Sequence, residues 1–237
     1  MTIRHVELDV EVPGARTVSA DAALPEAGRD TTVILAHGAG SDRRHPALVA
    51  IQEDLARAGW PTVLFNFPYR EAGKRVPDGR PILERTWHAV LAAVRAEPRL
   101  ATSRLAIGGR SMGGRIATLV AADGAAVDGL VLLGFPLHAA GRPGVERAGH
   151  LPRITVPMLF VQGTRDALAD RTLLTGVLDG VPLATVHWLA DADHGFHVPK
   201  RSGRTDDQVR AEAVAEITAW LDGTRDSSAA GPATRRK

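Results

Sequence analysis

The segment Gly109-Arg110-Ser111-Met112-Gly113 holds residue types that can turn an alcohol into a nucleophile. Leu105-Ala106-Ile107-Gly108 before it reads as the end of a buried strand. Ile116-Ala117-Thr118-Leu119-Val120-Ala121-Ala122 after it reads as a helix of small and apolar residues. A serine on so tight a strand-to-helix turn is thrust out of the sheet edge. The flanking glycines have a steric reason, because a Cβ has no room where helix and strand approach this closely. Met112, at the helix start, offers a backbone N–H where developing negative charge is favoured. The five-residue pattern recurs by chance, and its strand-turn-helix setting is what gives it weight.

A serine nucleophile needs a base, and the base needs an orienting acid. Asp166 lies just past the apolar strand Pro157–Gly163, and His194 just past Ala184–Leu189. Ser111, Asp166 and His194 therefore all fall at C-terminal strand ends, the edge where open α/β sheets place their sites. Other residues compete. His197 stands three positions beyond His194 and is a second candidate base. Asp170 suits the cap of a helix beginning near Arg171, and Asp191 and Asp193 suit bracing of the histidine loop. His138 follows the Phe135 strand, where it either lines the pocket or lies on the surface. His45, His88, His150 and His187 read as locally hydrogen-bonded. No His-x-x-x-His or His-Glu-x-x-His pattern is present, so no metal and no cofactor are expected.

Alternating strands and helices position these residues. Val6, Leu8 and Val10 alternate with polar residues as in a half-buried edge strand. A short second strand is expected around Val18, with Asp21–Asp30 as a turn region. Thr32–Ala36, Thr62–Phe67, the serine strand, Gly129–Phe135, Pro157–Gly163 and Ala184–Leu189 follow. Pro46 suits the first position of a helix that ends at Gly59. Pro68 to about Arg80 reads as a loop, and Leu83 to Val94 as a helical face. Thr205 and Gln208 are placed for a capping box on a last helix that reaches Leu221 and ends at Gly223. The pattern implies right-handed crossovers and a mostly parallel sheet of about seven or eight strands with helices on both faces.

Bulk properties agree. The chain has 237 residues, 44% hydrophobic, which suits one α/β domain over residues 1–222. Residues 223–237 read as a disordered basic tail. Of the net charge of +2, Arg225, Arg235, Arg236 and Lys237 against Asp226 leave the body slightly negative. That argues against a nucleic-acid partner. There is no cysteine, and no apolar run approaches the roughly 20 residues of a membrane span. The expectation is a cytoplasmic protein with a small-molecule partner.

With its Gly-x-Ser-x-Gly elbow, a Gly163-Thr164-Arg165-Asp166 acid segment and an Asp193-His194-Gly195-Phe196 histidine segment, in the order Ser, Asp, His, the chain resembles the α/β-hydrolases over roughly residues 30–222. His37-Gly38-Ala39-Gly40, Asn66-Phe67-Pro68-Tyr69 and Gly109–Arg115 are similar to a small cap-less group that includes hydrolase-like testis-expressed proteins. Dienelactone-type hydrolases are neighbours, although they typically use the cysteine that this chain lacks. The resemblance implies an α/β-hydrolase fold without a cap domain. It implies Ser111 as nucleophile, His194 as base and Asp166 as orienting acid. The oxyanion hole would be formed by Ala39 N–H together with Met112 N–H, with His37 bracing that loop. Only residues 136–156 separate the Phe135 strand from the next, which is too short for a helical cap, so an open site is expected, covered at most by the 68–80 loop. Arg110, Tyr69, Arg70 and His138 are candidate substrate contacts, with Arg43, Arg44 and Arg115 nearby. The function implied is cleavage of a small or terminal ester through an acyl-enzyme. The alternatives are acyl transfer or peptide hydrolysis by the same residues, or a non-catalytic protein-binding module.

Overall fold

The computed structural model describes residues 2–100 and 103–229, with side chains to residue 224. Eight strands form one sheet, β1 (Ile3–Val10), β2 (Val18–Pro25), β3 (Thr31–Ala36), β4 (Thr62–Phe65), β5 (Arg104–Arg110), β6 (Gly129–Leu133), β7 (Met158–Gly163) and β8 (Ala184–Leu189). Their spatial order is β1-β2-β4-β3-β5-β6-β7-β8. From β4 to β8 the pairings are parallel, and β1 and β2 are the antiparallel edge.

Parallel strands need crossovers. Those crossovers are α1 (Pro46–Arg57), the single turn α2 (Pro68–Glu71) leading to α3 (Arg80–Ala96), α4 (Met112–Ala122) and α5 (Arg171–Leu178), and α6 (Asp206–Ala229) closes the chain. Alternation along each strand divides the core in two. Ile34 and Ala36 of β3 join the face covered by α3, α4 and α5, where Trp87 is fully buried. Val33 and Leu35 join the face covered by α1 and α6, where Leu55 and Ile217 are fully buried. The central strands therefore read as continuous apolar runs, because both faces are covered.

Three expectations are corrected. Asp21–Pro25 is strand rather than turn. β2 pairs with β1 over its whole length, from Val10 with Val18 to Ile3 with Pro25, and Ala22, Ala23 and Leu24 are buried. The proline is tolerated because the pairing of β2 with β4 ends at Ala23, so on that side Pro25 stands at an edge with no ladder bond to donate. Residues 68–71 are helical rather than loop. The last helix does not stop at Gly223 but continues to Ala229. Gly223 does not take a left-handed conformation. Arg29 pairs with Asp222, and Arg104 donates to the Thr224 carbonyl at 3.2 Å, which ties this turn to the domain. The rest of the expected tail, 230–237, lies outside the described residues. Thr205 and Gln208 do exchange the reciprocal bonds of a capping box, at 2.9 and 3.2 Å.

Between β6 and β7, residues 134–157 contain only two single-turn helices, Glu146–Ala148 and Leu151–Arg153, and no cap. Among the described residues no helix is long and apolar enough to cross a membrane.

Candidate active site

Ser111 sits between β5 and α4 with φ 51° and ψ −117°. A non-glycine residue rarely adopts this backbone, and it persists only where its surroundings over-determine it. Here they do. A Cβ on Gly109 (φ +136°) would lie 2.2 Å from the Ala36 carbonyl oxygen, and one on Gly113 would lie 2.5 Å from it. The elbow is thus wedged against the end of β3, and only hydrogen fits at either position. Arg115 N–H caps the turn by donating to the Ser111 carbonyl at 3.0 Å.

Two distant loops meet this serine. Ser111 Oγ is 2.9 Å from His194 Nε2, and His194 Nδ1 is 2.8 Å from Asp166 Oδ2. With its proton on Nδ1, the ring donates to Asp166 and accepts from the serine hydroxyl. The Asp166 carboxylate is fully buried as a side chain, and the imidazole is about one-quarter exposed. Gly134 (φ +63°) forms the seat of the ring, since a Cβ there would meet His194 Nδ1 at 3.4 Å. Asp193 Oδ1 accepts from the Gly195 and His197 amides at 2.7 and 3.0 Å and so shapes the loop carrying His194.

Gln162, fully buried at the end of β7, went unnoticed in the sequence. Its side-chain amide donates to Asp166 Oδ2 at 2.6 Å and accepts from Phe135 N–H at 2.8 Å. Leu168 N–H donates to the other carboxylate oxygen at 2.7 Å. Asp166 thus receives three hydrogen bonds, from Gln162, Leu168 N–H and His194. The available signal was a lone polar residue inside the apolar run Phe160-Val161-Gln162.

The 37–40 loop lies beside the serine, and Gly38 would place a Cβ 3.5 Å from that of Ser111. His37 accepts from Phe67 N–H at 3.2 Å and donates to the Gly38 carbonyl at 2.9 Å. Burial, the largest influence, lowers its pKa to about 4, so it remains a neutral brace. Ala39 and Met112 line the same open groove as Ser111. Among the described residues neither of their amides has a protein acceptor. Both are free to meet a ligand oxygen.

The other candidates are elsewhere or already engaged. The Tyr69 ring is buried edge-on against His37 at 5.8 Å, so the tyrosine supports the loop from behind instead of facing the groove. Arg70 is held by Asp42 at 3.1 Å and by the Lys74 carbonyl at 2.9 Å. His138 is neither on the surface nor in the groove. It is buried, donating to the Ala139 carbonyl at 2.9 Å and accepting from Asp170 N–H at 2.8 Å. His197 binds Asp206 at 2.7 Å on the exposed side of its loop, away from Ser111. Asp170 caps α5 through Leu173 N–H. Arg110 has no hydrogen-bond partner among the described residues. It faces a small cavity of about 70 Å³ behind His194, lined by Leu48, Ile51 and Phe196, which excludes Ser111. The groove is bordered by Pro136, Ala139, Ala140, Arg147 and Leu168, and not by the 68–80 loop.

Comparison with known proteins agrees with this architecture. A family model described as an alpha/beta hydrolase domain matches residues 29–222. An alpha-beta serine hydrolase homologue from Coxiella burnetii superposes with a TM-score of 0.73 at 20% identity, covering 90% of this chain and 97% of that one. An α/β serine hydrolase without lid from Xanthomonas campestris gives 0.70 at 22% identity, covering 92% and 94%. A dienelactone hydrolase from Anabaena variabilis gives 0.73 at 19% identity, covering 93% and 98%. With its lidless eight-stranded sheet and a family match spanning most of its length, this chain belongs to the alpha/beta hydrolase family.

Proposed function

We propose that this protein is a serine hydrolase that cleaves a carboxylic ester with a small or terminally presented acyl group. One observation carries the reading, the unbroken chain of hydrogen bonds from the Ser111 hydroxyl through His194 to Asp166, at 2.9 and 2.8 Å. Ser111 Oγ attacks the ester carbonyl carbon and its proton passes to His194 Nε2. The carbonyl oxygen becomes an oxyanion that takes the Ala39 and Met112 amides, each worth roughly 3 kcal/mol in the transition state. The carbon–oxygen bond to the leaving alkoxide breaks, and the alkoxide takes the proton from His194. Water then attacks the acyl-enzyme, gives its proton to His194, and the acid departs as Ser111 recovers its hydrogen. Throughout, Asp166 stabilises the imidazolium and keeps the ring in one tautomer.

The open groove supports the choice of substrate. Ala39, Ala139 and Ala140 keep part of its wall low beside the longer Met112, Arg115, Arg147 and Leu168, and among the described residues no cap lies above it. Among the described residues no cap domain closes over the groove to bury a long acyl chain, whereas a compact acyl group, or one at the end of a larger molecule, can reach Ser111. Turnover of a panel of short p-nitrophenyl esters by the Ser111→Ala variant tests the reading. A loss on the order of 10⁴-fold or more is expected, with the fold intact. A rate equal to wild type would remove the serine from the mechanism.

A further inference from the structure

The groove that holds Ser111, about 390 Å³ in volume, has two guanidinium groups in its wall, Arg115 and Arg147. Arg115 stands one helical turn beyond Ser111, on the same side of α4. Arg147 comes from the β6–β7 connection, in the turn Glu146–Ala148. Neither makes an ion pair among the described residues, unlike Arg57, Arg70 and Arg210. Arg115 Nε is buried with no hydrogen-bond partner. Burial first, and then the neighbouring Arg147 and Arg80, push the Arg115 guanidinium below its usual pKa range. Arg147 spends one nitrogen on the His138 carbonyl at 3.1 Å.

The nearby acids are committed elsewhere. Glu84 binds Arg80 at 2.5 Å, and Asp123 is shared by Arg80 and Arg153 at 3.6 Å each. Exposed Glu146 lies within ion-pair distance of neither groove arginine. His150, buried against Thr118 with a pKa lowered to about 4 by burial and these arginines, adds no counter-charge. Two like charges, partly desolvated and without a carboxylate, cost folding free energy. An anion entering the groove would recover that cost, and the planar fork of arginine matches a carboxylate or phosphate with two parallel hydrogen bonds.

We propose that the ester taken by this site carries an anionic oxygen group, a carboxylate foremost, which Arg115 and Arg147 hold while its carbonyl lies at Ser111. The proposal rests on the serine-hydrolase reading above and adds a substrate class to it. Arg110 and Arg70 do not share this role, since one faces a cavity without Ser111 and the other is already paired.

The test compares p-nitrophenyl hemisuccinate, hemiglutarate and hemiadipate with neutral p-nitrophenyl esters of matched length. The readout is the ratio of kcat/KM, anionic over neutral, for the best length. A ratio of about ten or more is expected at low salt, falling toward one at 1 M NaCl as the charges are screened. Arg115→Gln and Arg147→Gln should each cut the ratio several-fold. If Arg115→Gln fails to fold, Arg147→Gln and the salt dependence of the wild type decide the matter. Glutarate and inorganic phosphate, used as competitive inhibitors, show which anion fits better, and competition by either supports the site. A wild-type ratio of one or less at every length, with the neutral esters still turned over, overturns the anion site and leaves the hydrolase standing. No turnover of any ester, together with no labelling of Ser111 by a fluorophosphonate, overturns both.

Discussion

The two halves of the candidate active site are held by different physics. The serine half is fixed by backbone collisions. A Cβ on Gly108 would lie 1.8 Å from the Val131 carbonyl oxygen, and one on Gly113 would lie 2.5 and 2.6 Å from those of Ala36 and His37. The acid–histidine half is fixed by side-chain hydrogen bonds, with Gln162, Leu168 N–H and His194 all donating to Asp166. A collision leaves no intermediate state, while hydrogen bonds can be removed one at a time for about 1–3 kcal/mol each. Substitutions in the serine half should therefore act all-or-none on folding, and substitutions in the other half should act by degrees on rate.

The sharpest break in that contrast is Gly113→Val. Its side chain has only backbone to displace, so a loss of more than about 4 kcal/mol is expected, seen as insoluble protein or a lost urea transition. Stability near wild type would show that the elbow is not sterically locked. On the other side, Asp166→Asn keeps the shape and most of the hydrogen bonds while removing the charge and favouring the wrong His194 tautomer. A fall in kcat of about 10⁴-fold is expected with an unfolding midpoint close to wild type.

The serine half also carries a pH signature, through His37. The unfolded chain binds a proton on this residue near pH 6.5, and the folded protein only near 4. Stability is thus expected to fall as pH drops through that window, by up to about 3 kcal/mol from this group. Urea midpoints measured from pH 7 to 4.5 should show the decline, and His37→Gln should remove about half of it, because His150, also lowered to about 4, contributes over the same window. A slope that His37→Gln leaves unaltered would locate the acid sensitivity elsewhere. The smallest effect belongs to Gln162→Met, which leaves Asp166 with two donors. A drop in kcat of about tenfold is expected, with KM nearly constant, because the residue positions the acid and touches no substrate. A drop as large as that of Asp166→Asn would mean the acid–histidine half is as brittle as the elbow.

This division also explains what was legible in the sequence. Steric necessity is written in residue type. Glycines around a serine, continuous apolar strands and a capping box announced the elbow, the two-sided sheet and the start of α6. The elbow motif and the ends of apolar runs put Ser111, Asp166 and His194 at one sheet edge, and the fold brings them within hydrogen-bond distance. Hydrogen-bond partners depend on tertiary proximity, which residue types do not encode. Thus Gln162 was missed, although a buried polar residue in an apolar strand needs a partner. Tyr69, Arg70 and His138 were placed near the site by their loops, but contacts with His37, Asp42 and Asp170 claim them. The length of β2 and the run of α6 past Gly223 were hidden for the same reason, since a paired strand and the contacts of Arg29 and Arg104 overrode local turn signals.

The most direct measurement is labelling of the folded protein with a fluorophosphonate probe, read by intact mass and peptide mapping, on wild type and on Ser111→Ala. One adduct per chain, located on Ser111 and absent from the variant, is the expected result. No adduct on the folded wild-type protein, or one that persists in Ser111→Ala, would contradict the claim that His194 and Asp166 make this serine a nucleophile.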